Sequence, residues 1–149
     1  MQRAKAEATG LIPARPDVVY AVIADYQHGH QQIVPKPYFT KLEVVQGGFG
    51  AGTIIRTYMR VFGAERVMRH EIHEPEPGRV LVEQDLDADI ATTFTVTPAD
   101  GGRMASVHIE TAWAARPGIA GWIERALTKR LLQSIYAKEL RQLAAYVQA

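Results

Sequence analysis

Cysteine is absent from the chain, which excludes a disulfide framework, a thiolate metal site and a cysteine nucleophile. The fold must therefore rest on packing alone. Neither sign of charge dominates: 17 Lys and Arg against 16 Asp and Glu leave a net +1 at pH 7, whereas a nucleic-acid-binding domain carries a dominant basic face. No run approaches the ~18 apolar residues of a membrane span. The first residues, Met1 to Ile12, include Arg3, Lys5 and Glu7 and lack the apolar core of a signal peptide. These absences lead to the expectation of a cytoplasmic protein without nucleic acid or an integral membrane segment as partner. What is present is ordinary globular usage, 47% hydrophobic and 22% charged over 149 residues. A chain of this size buries roughly 68–70% of its unfolded surface around one core, and no linker or internal repeat divides it.

Ala4 to Ile12 reads as a first strand, ended by Pro13 and by Pro16, which suits the first turn of a helix. Val19, Val22, Ile23 and Tyr26 then fall at helical spacing, and the pattern dissolves at Gly29 in a polar segment that carries His28 and His30 and ends at Pro35 and Pro37. Six strand-like runs follow: Phe39 to Gln46, Thr53 to Phe62, Ala64 to Glu74, Arg79 to Gln84, Ala91 to Thr97 and Arg103 to Trp113. Turn residues separate them, notably the cluster Gly47 to Gly52, Gly63, Pro75 to Gly78 and Pro98 to Gly102. Short connections of this kind imply an antiparallel meander. The last segment, Gly118 to Val147, has Ile119, Ile123, Leu127, Leu131, Ile135, Leu140, Leu143 and Val147 near helical spacing, and as a helix it spans about 45 Å. From Ala114 onward six basic residues (Arg116, Arg125, Lys129, Arg130, Lys138, Arg141) stand against Glu124 and Glu139, so this helix is expected to present a basic outer face.

A two-residue loop at Gly63 and Ala64 would pair Phe62 with Glu65 and fix the register of the hairpin. Met59 then faces Met68, Thr57 faces His70 and Ile55 faces Ile72 on an apolar side, while Arg56 faces Glu71 and Tyr58 faces Arg69 on a charged one. By the same alternation Phe94, Val96, Val107, Ile109, Thr111 and Trp113 look toward the long helix. The strand Val80 to Gln84 is open to two readings: either Val80 and Val82 or Leu81 and Glu83 point inward. In the second case the inner face holds a carboxylate.

The order strand, helical segment, six-strand meander and long terminal helix resembles the START-like, helix-grip superfamily, and in particular its polyketide cyclase/dehydrase and lipid-transport branch. The residues that carry the resemblance are Ala14-Arg15-Pro16-Asp17-Val18-Val19-Tyr20 opening the first helix and Asp25-Tyr26 at its end. Gly47 to Thr53 before the third strand and Glu71-Ile72-His73-Glu74-Pro75 ending the fourth complete the set. The resemblance implies an α+β helix-grip fold of about seven strands, with a cavity between sheet and C-terminal helix for lipids, sterols, polyketides, quinones or similar molecules. It carries no catalytic motif and implies no cofactor.

Several local motifs have plainer readings. The glycine cluster departs from G-x-G-x-x-G at Thr53 and precedes a strand, so it reads as a flexible hairpin. Asp85, Asp87 and Asp89 lack the glycine and the terminal glutamate of a calcium loop and read as solvated carboxylates. His70 and His73 point to opposite faces of a strand, so no metal site is expected there. His70 itself is the candidate for chemistry, because an inward imidazole among Met59, Met68 and Ile72 could bond or deprotonate a ligand. Its alternative is a core histidine satisfied by Thr57. Trp113 and Trp122 flank the entry to the last helix and read either as an aromatic wall or as packing.

The expected ligand-binding set is Ile55, Thr57, Met59, Met68, His70, Ile72, Phe94, Ile109, Trp113, Ile123, Leu127 and Leu131, with His70 and Glu83 as catalytic candidates. Three functions remain open. The first is a carrier that sequesters a hydrophobic small molecule. The second is a cyclase or dehydratase in which His70, with Glu83, moves a proton. The third is an interaction module docking on a membrane surface or acidic partner through Arg125, Lys129 and Lys138.

Overall fold

The computed structural model describes residues 2–61 and 63–148. It opens with strand β1 (Gln2–Ile12), helix α1 (Pro16–Ala24) and short helix α2 (Gly29–Ile33). The meander follows as β2 (Phe39–Gln46), β3 (Ile54–Val61), β4 (Ala64–Glu76), β5 (Val80–Asp85), β6 (Ile90–Ala99) and β7 (Met104–Ala115), and helix α3 (Gly118–Gln148) closes the chain. The strands form one antiparallel sheet in the order β1-β7-β6-β5-β4-β3-β2, so consecutive hairpins make the sheet and β1 is added at the edge of β7. The result is an α+β helix-grip fold: an open, curved sheet with a long helix across one face.

Local sequence accounts for most boundaries. Pro16 starts α1 because a first-turn residue needs no intrahelical N–H partner, and Arg15 before it is extended. Asp25 ends α1, and its Oδ1 accepts the backbone N–H groups of Gln27 and His28, both at 3.2 Å, turning the chain into α2. The Gly47 to Gly52 loop is not a free hairpin. Its backbone is zipped to the end of α1, Tyr26 N donating to Gly48 O at 2.9 Å and Gly50 N to Ala24 O at 3.0 Å. Gly50 has φ +64°, and a Cβ there would run into the Glu74 carboxylate, which is itself held by Tyr20 OH at 2.6 Å and Ala51 N at 2.7 Å.

The β3–β4 register differs from the sequence expectation. Val61 pairs with Ala64 and Met59 with Arg66, so Thr57 lies opposite Met68 and Ile55 opposite His70. Likewise Arg56 lies opposite Arg69 and Tyr58 opposite Val67. Phe62, which the expectation paired with Glu65, lies outside the described residues. Because the slip is two residues and side chains alternate with period two, every described residue of the hairpin keeps its expected face. On β5, Leu81 is buried and pairs with Phe94 while Glu83 pairs with Thr92, so Leu81 and Glu83 face inward.

The helix departs more. Ile135, Tyr136, Glu139, Leu140 and Leu143 are buried, but in the first half of α3 only Gly121 is. Ile119 is 81% exposed, Trp122 62%, and Ile123 and Leu127 are also exposed. The even apolar stripe expected to pack along the whole helix is therefore seated only over its second half, beside β1; the sheet curves away beneath the first. Nor do Arg125, Lys129 and Lys138 form one free basic face, since Arg125 donates to Arg116 O at 3.2 Å and Lys138 donates to Lys36 O.

Candidate functional site

Between the sheet and α3 lies a cavity of about 680 Å3, within the size range of small-molecule sites, about 300–1,000 Å3. The sheet register arranges its wall in rows about 7 Å apart, two residues per step. Toward the inner end, one step short of Phe94, a row is polar: Glu83 pairs with Thr92, and Thr92 with Thr111. The next contains Ile55 and His70 on neighbouring strands, with Trp113 paired to Ile90 further round the sheet. Leu42, Thr57 and Met68 form a third, and Phe39, Met59 and Arg66 lie at the rim. Across from them α3 contributes Arg125, Leu127, Leu131, Leu132, Ile135, Tyr136 and Glu139. The wall is thus apolar along its length, with Glu83 and Glu139 at the inner end and Arg66, Arg125 and the ion pair of Arg116 with Glu124 toward the rim.

The inner end is built by three separate elements. Tyr26, fully buried, donates to Glu83 Oε2 at 2.6 Å. His30 stacks on Tyr26 with ring centroids 4.3 Å apart, and its Nδ1 donates to Ile23 O at 2.7 Å. That bond fixes the ring so that Nε2 lies 3.4 Å from Glu83 Oε2, where a protonated imidazole makes an ion pair. Gly29 permits this approach, because a Cβ there would meet the Val22 carbonyl at 2.8 Å. From α3, Tyr136 bonds Thr111, and Thr111 bonds Thr92 at 2.7 Å.

Glu139 completes the group. It is 3% exposed, and its Oε2 has no hydrogen-bond partner among the described residues. Burial, and then the nearby Glu83 charge, hold its carboxyl well above the usual carboxylate range. Burial likewise pushes Tyr26 up, with Glu83 adding to the effect, and burial does the same for Tyr136.

His70 points into the cavity, with Nε2 3.8 Å from Asp85 Oδ2 and Nδ1 buried without a partner. Thr57 does not satisfy it: Thr57 Oγ1 is itself buried and unpartnered. Asp85 is no solvated loop carboxylate. It is buried, and its Oδ1 accepts the backbone N–H groups of Asp87 at 2.7 Å and Ala88 at 2.9 Å. Asp87 pairs with Arg69 at 2.8 Å and Asp89 with Arg3 at 2.7 Å.

Of the residues singled out from sequence, Ile55, Thr57, Met59, Met68, His70, Glu83, Phe94, Trp113, Leu127 and Leu131 line this one cavity. Ile72 and Ile109 are instead fully packed in the core, and Ile123 is turned to solvent. Trp122 is exposed at the helix start, so the two tryptophans do not form a common wall. His73 lies on the outer face, 3.1 Å from Glu71. His28 is exposed beside Asp25, whereas His30 belongs to the inner end of the cavity. On the outer sheet face Glu7, His108 and Glu110 bring ligand atoms within 4.8 Å of one another. Their bonds are to protein groups: His108 to Thr9 at 2.7 Å and Glu7 at 3.3 Å, Glu110 to Lys5 at 3.6 Å.

Sequence reasoning passed over Tyr26, Thr92, Tyr136 and Glu139 as site residues. One signal was available. Glu139 sits one turn after Ile135 and one before Leu143, a charge in the apolar stripe of the helix.

Comparison with known proteins places this geometry. Residues 3–148 match the family described as polyketide cyclase/dehydrase and lipid transport. Among solved structures, the KanY protein is 27% identical with a TM-score of 0.86, each chain covered over 100% of its length. The Zhui aromatase/cyclase of a Streptomyces species is 16% identical (TM-score 0.79, covering 99% of this chain and 94% of that one). A START superfamily protein of Mycobacterium smegmatis is 12% identical (TM-score 0.74, 97% of each). The last two share the fold. No curated protein matches the sequence.

Proposed function

Because the chain belongs to the polyketide cyclase/dehydrase and lipid-transport family, we propose that it binds a small hydrophobic ligand, such as a lipid, polyketide or quinone, between sheet and α3. The observation that carries this reading is the cavity of about 680 Å3 with apolar sides and a polar inner row. Affinity comes mainly from burial of the ligand body, at about 25 cal/mol per Å2 of apolar area. Orientation comes from the polar atoms, since a ligand that ignored Thr57, His70 and Glu139 would seal them in without partners.

The test is native mass spectrometry of freshly purified protein together with analysis of solvent-extracted material. A stoichiometric hydrophobic molecule, or failing that a melting shift with lipids, quinones or aromatic polyketides, is the expected result. Leu131 faces the cavity from the helix side, so Leu131→Trp should fill the space and reduce occupancy at least about tenfold. An empty protein that responds to none of these compounds would overturn the proposal.

A second reading is an enzyme of the cyclase or dehydratase type. It is favoured by the free Nδ1 of His70, which the fold leaves in the cavity wall without a partner. His70 would take or deliver a proton at a ligand carbon or oxygen in contact with it, with Glu83 in the neighbouring row as the second group. On this reading His70→Ala abolishes turnover of a bound polyketide-like substrate and leaves its binding within about threefold of wild type. Turnover that survives the substitution removes His70 from the chemistry.

A further inference from the structure

Among the described residues Arg66, Arg116 and Arg125 of the cavity wall lie toward the rim, Arg116 paired there with Glu124 at 2.8 Å, while the carboxylates that can meet a ligand's far end, Glu83 and Glu139, lie at the inner end. Along α3 the step from Arg125 to Glu139 is about 21 Å at 1.5 Å per residue. Among the described residues no lysine or arginine of the lining reaches the inner row, and the one basic group there, His30, is already held by Ile23 O and Glu83. Most neutral donors are engaged: Tyr26 donates to Glu83, and the two bonds linking Tyr136, Thr111 and Thr92 use two of their three hydroxyl protons. What the inner end offers is acceptors, of which Glu139 Oε2 is buried with no donor among the described residues.

We propose that this end of the cavity is an amine-recognition subsite, in which Glu139 and Glu83 select ligands whose apolar body terminates in a protonated amine. The proposal rests on the reading of the cavity as a ligand site and names the chemistry of the ligand's inner end. An ammonium group carries several N–H donors and one positive charge. It would satisfy Glu139, approach Glu83 on the side away from Tyr26, and turn the cost of two neighbouring buried carboxyls into charge-assisted hydrogen bonds. An alcohol supplies one donor and no charge.

Binding is also coupled to protons. The groups facing Glu139 are Glu83 from β5, Tyr26 and His30 from the α1–α2 region, Tyr136 from its own helix and Thr92 and Thr111 from β6 and β7, with His70 and Asp85 one row away. Burial and the Glu83 charge raise the proton affinity of Glu139 in the ligand-free protein, and an ammonium beside it lowers that affinity, so binding releases protons over the range in which Glu139 titrates. Affinity for the amine therefore rises with pH until the amine itself loses its charge.

The test is calorimetric titration of the full chain with three matched probes: naphthylethylamine, naphthylethanol and naphthylacetate. The amine should bind at least about tenfold tighter than the alcohol, with the carboxylate weakest. Glu139→Gln should bring the amine to within about threefold of the alcohol; Glu83→Gln reads the same preference should the first variant fail to fold. Equal binding of amine and alcohol by the wild type overturns the subsite while leaving the hydrophobic cavity intact. Binding of none of the three removes the cavity reading as well, so the two failures are distinct.

Discussion

At the scale of the residue, Glu139 combines burial, an unpartnered oxygen and a carboxylate neighbour, and the three have a consequence for stability as well as binding. An acid whose carboxyl is held above its ordinary range binds a proton more tightly in the native than in the unfolded chain. Its contribution to stability is present in full below the unfolded value and is lost as pH rises through the folded one. Glutamine has no proton to lose. Relative to wild type, Glu139→Gln should therefore melt at progressively higher temperature as pH is raised from about 4 to about 8, with the smallest difference at the acid end. A temperature difference that does not change with pH would mean that Glu139 binds its proton no more tightly in the native chain than in the unfolded one.

At the scale of the element, α3 is two structures in one helix. Its second half is fixed by Ile135, Tyr136, Leu140 and Leu143 over the core, whereas its first half holds Ile119, Trp122, Ile123 and Leu127 largely in solvent. Apolar periodicity is the same in both halves, and what differs is whether the sheet comes up to meet it. Leu143→Ala should cost about 2–5 kcal/mol, the usual range for a large buried side chain. Ile123→Ala, at an exposed position, should stay within about 0.5 kcal/mol. Denaturant unfolding of both variants reads the contrast, and comparable losses would show that the first half is seated as firmly as the second.

At the scale of the whole molecule, the cavity exists because a long helix crosses a curved sheet, buried over its second half and exposed over its first. Elements with few buried contacts open most readily. Hydrogen exchange should accordingly be faster for the amides of 121–132 than for those of 135–147, and a bound ligand should protect the first segment more. Uniform protection along α3, with or without ligand, would contradict this division.

The order of elements, the antiparallel meander and the inward face of nearly every strand were legible in the sequence, because side-chain alternation is a local property. Even the misjudged hairpin shows it: a slip of two residues changed the partners of Thr57 and His70 but not the side on which they stand. The site was legible where it consists of strand residues, as at His70 and Met68. It was not legible where it depends on the approach of distant segments. Tyr26 and Glu83 are 57 residues apart in sequence, and His30 reaches them only because α2 turns back beneath Asp25 and Gly29 lets it close on Val22. The sequence by itself determined which faces are apolar and that a long helix must cover one of them. Only the tertiary structure decided where the helix is seated and where it stands clear, and hence that buried polar groups meet at one end of a cavity, because curvature and close approach are properties of packing between elements and not of any one of them.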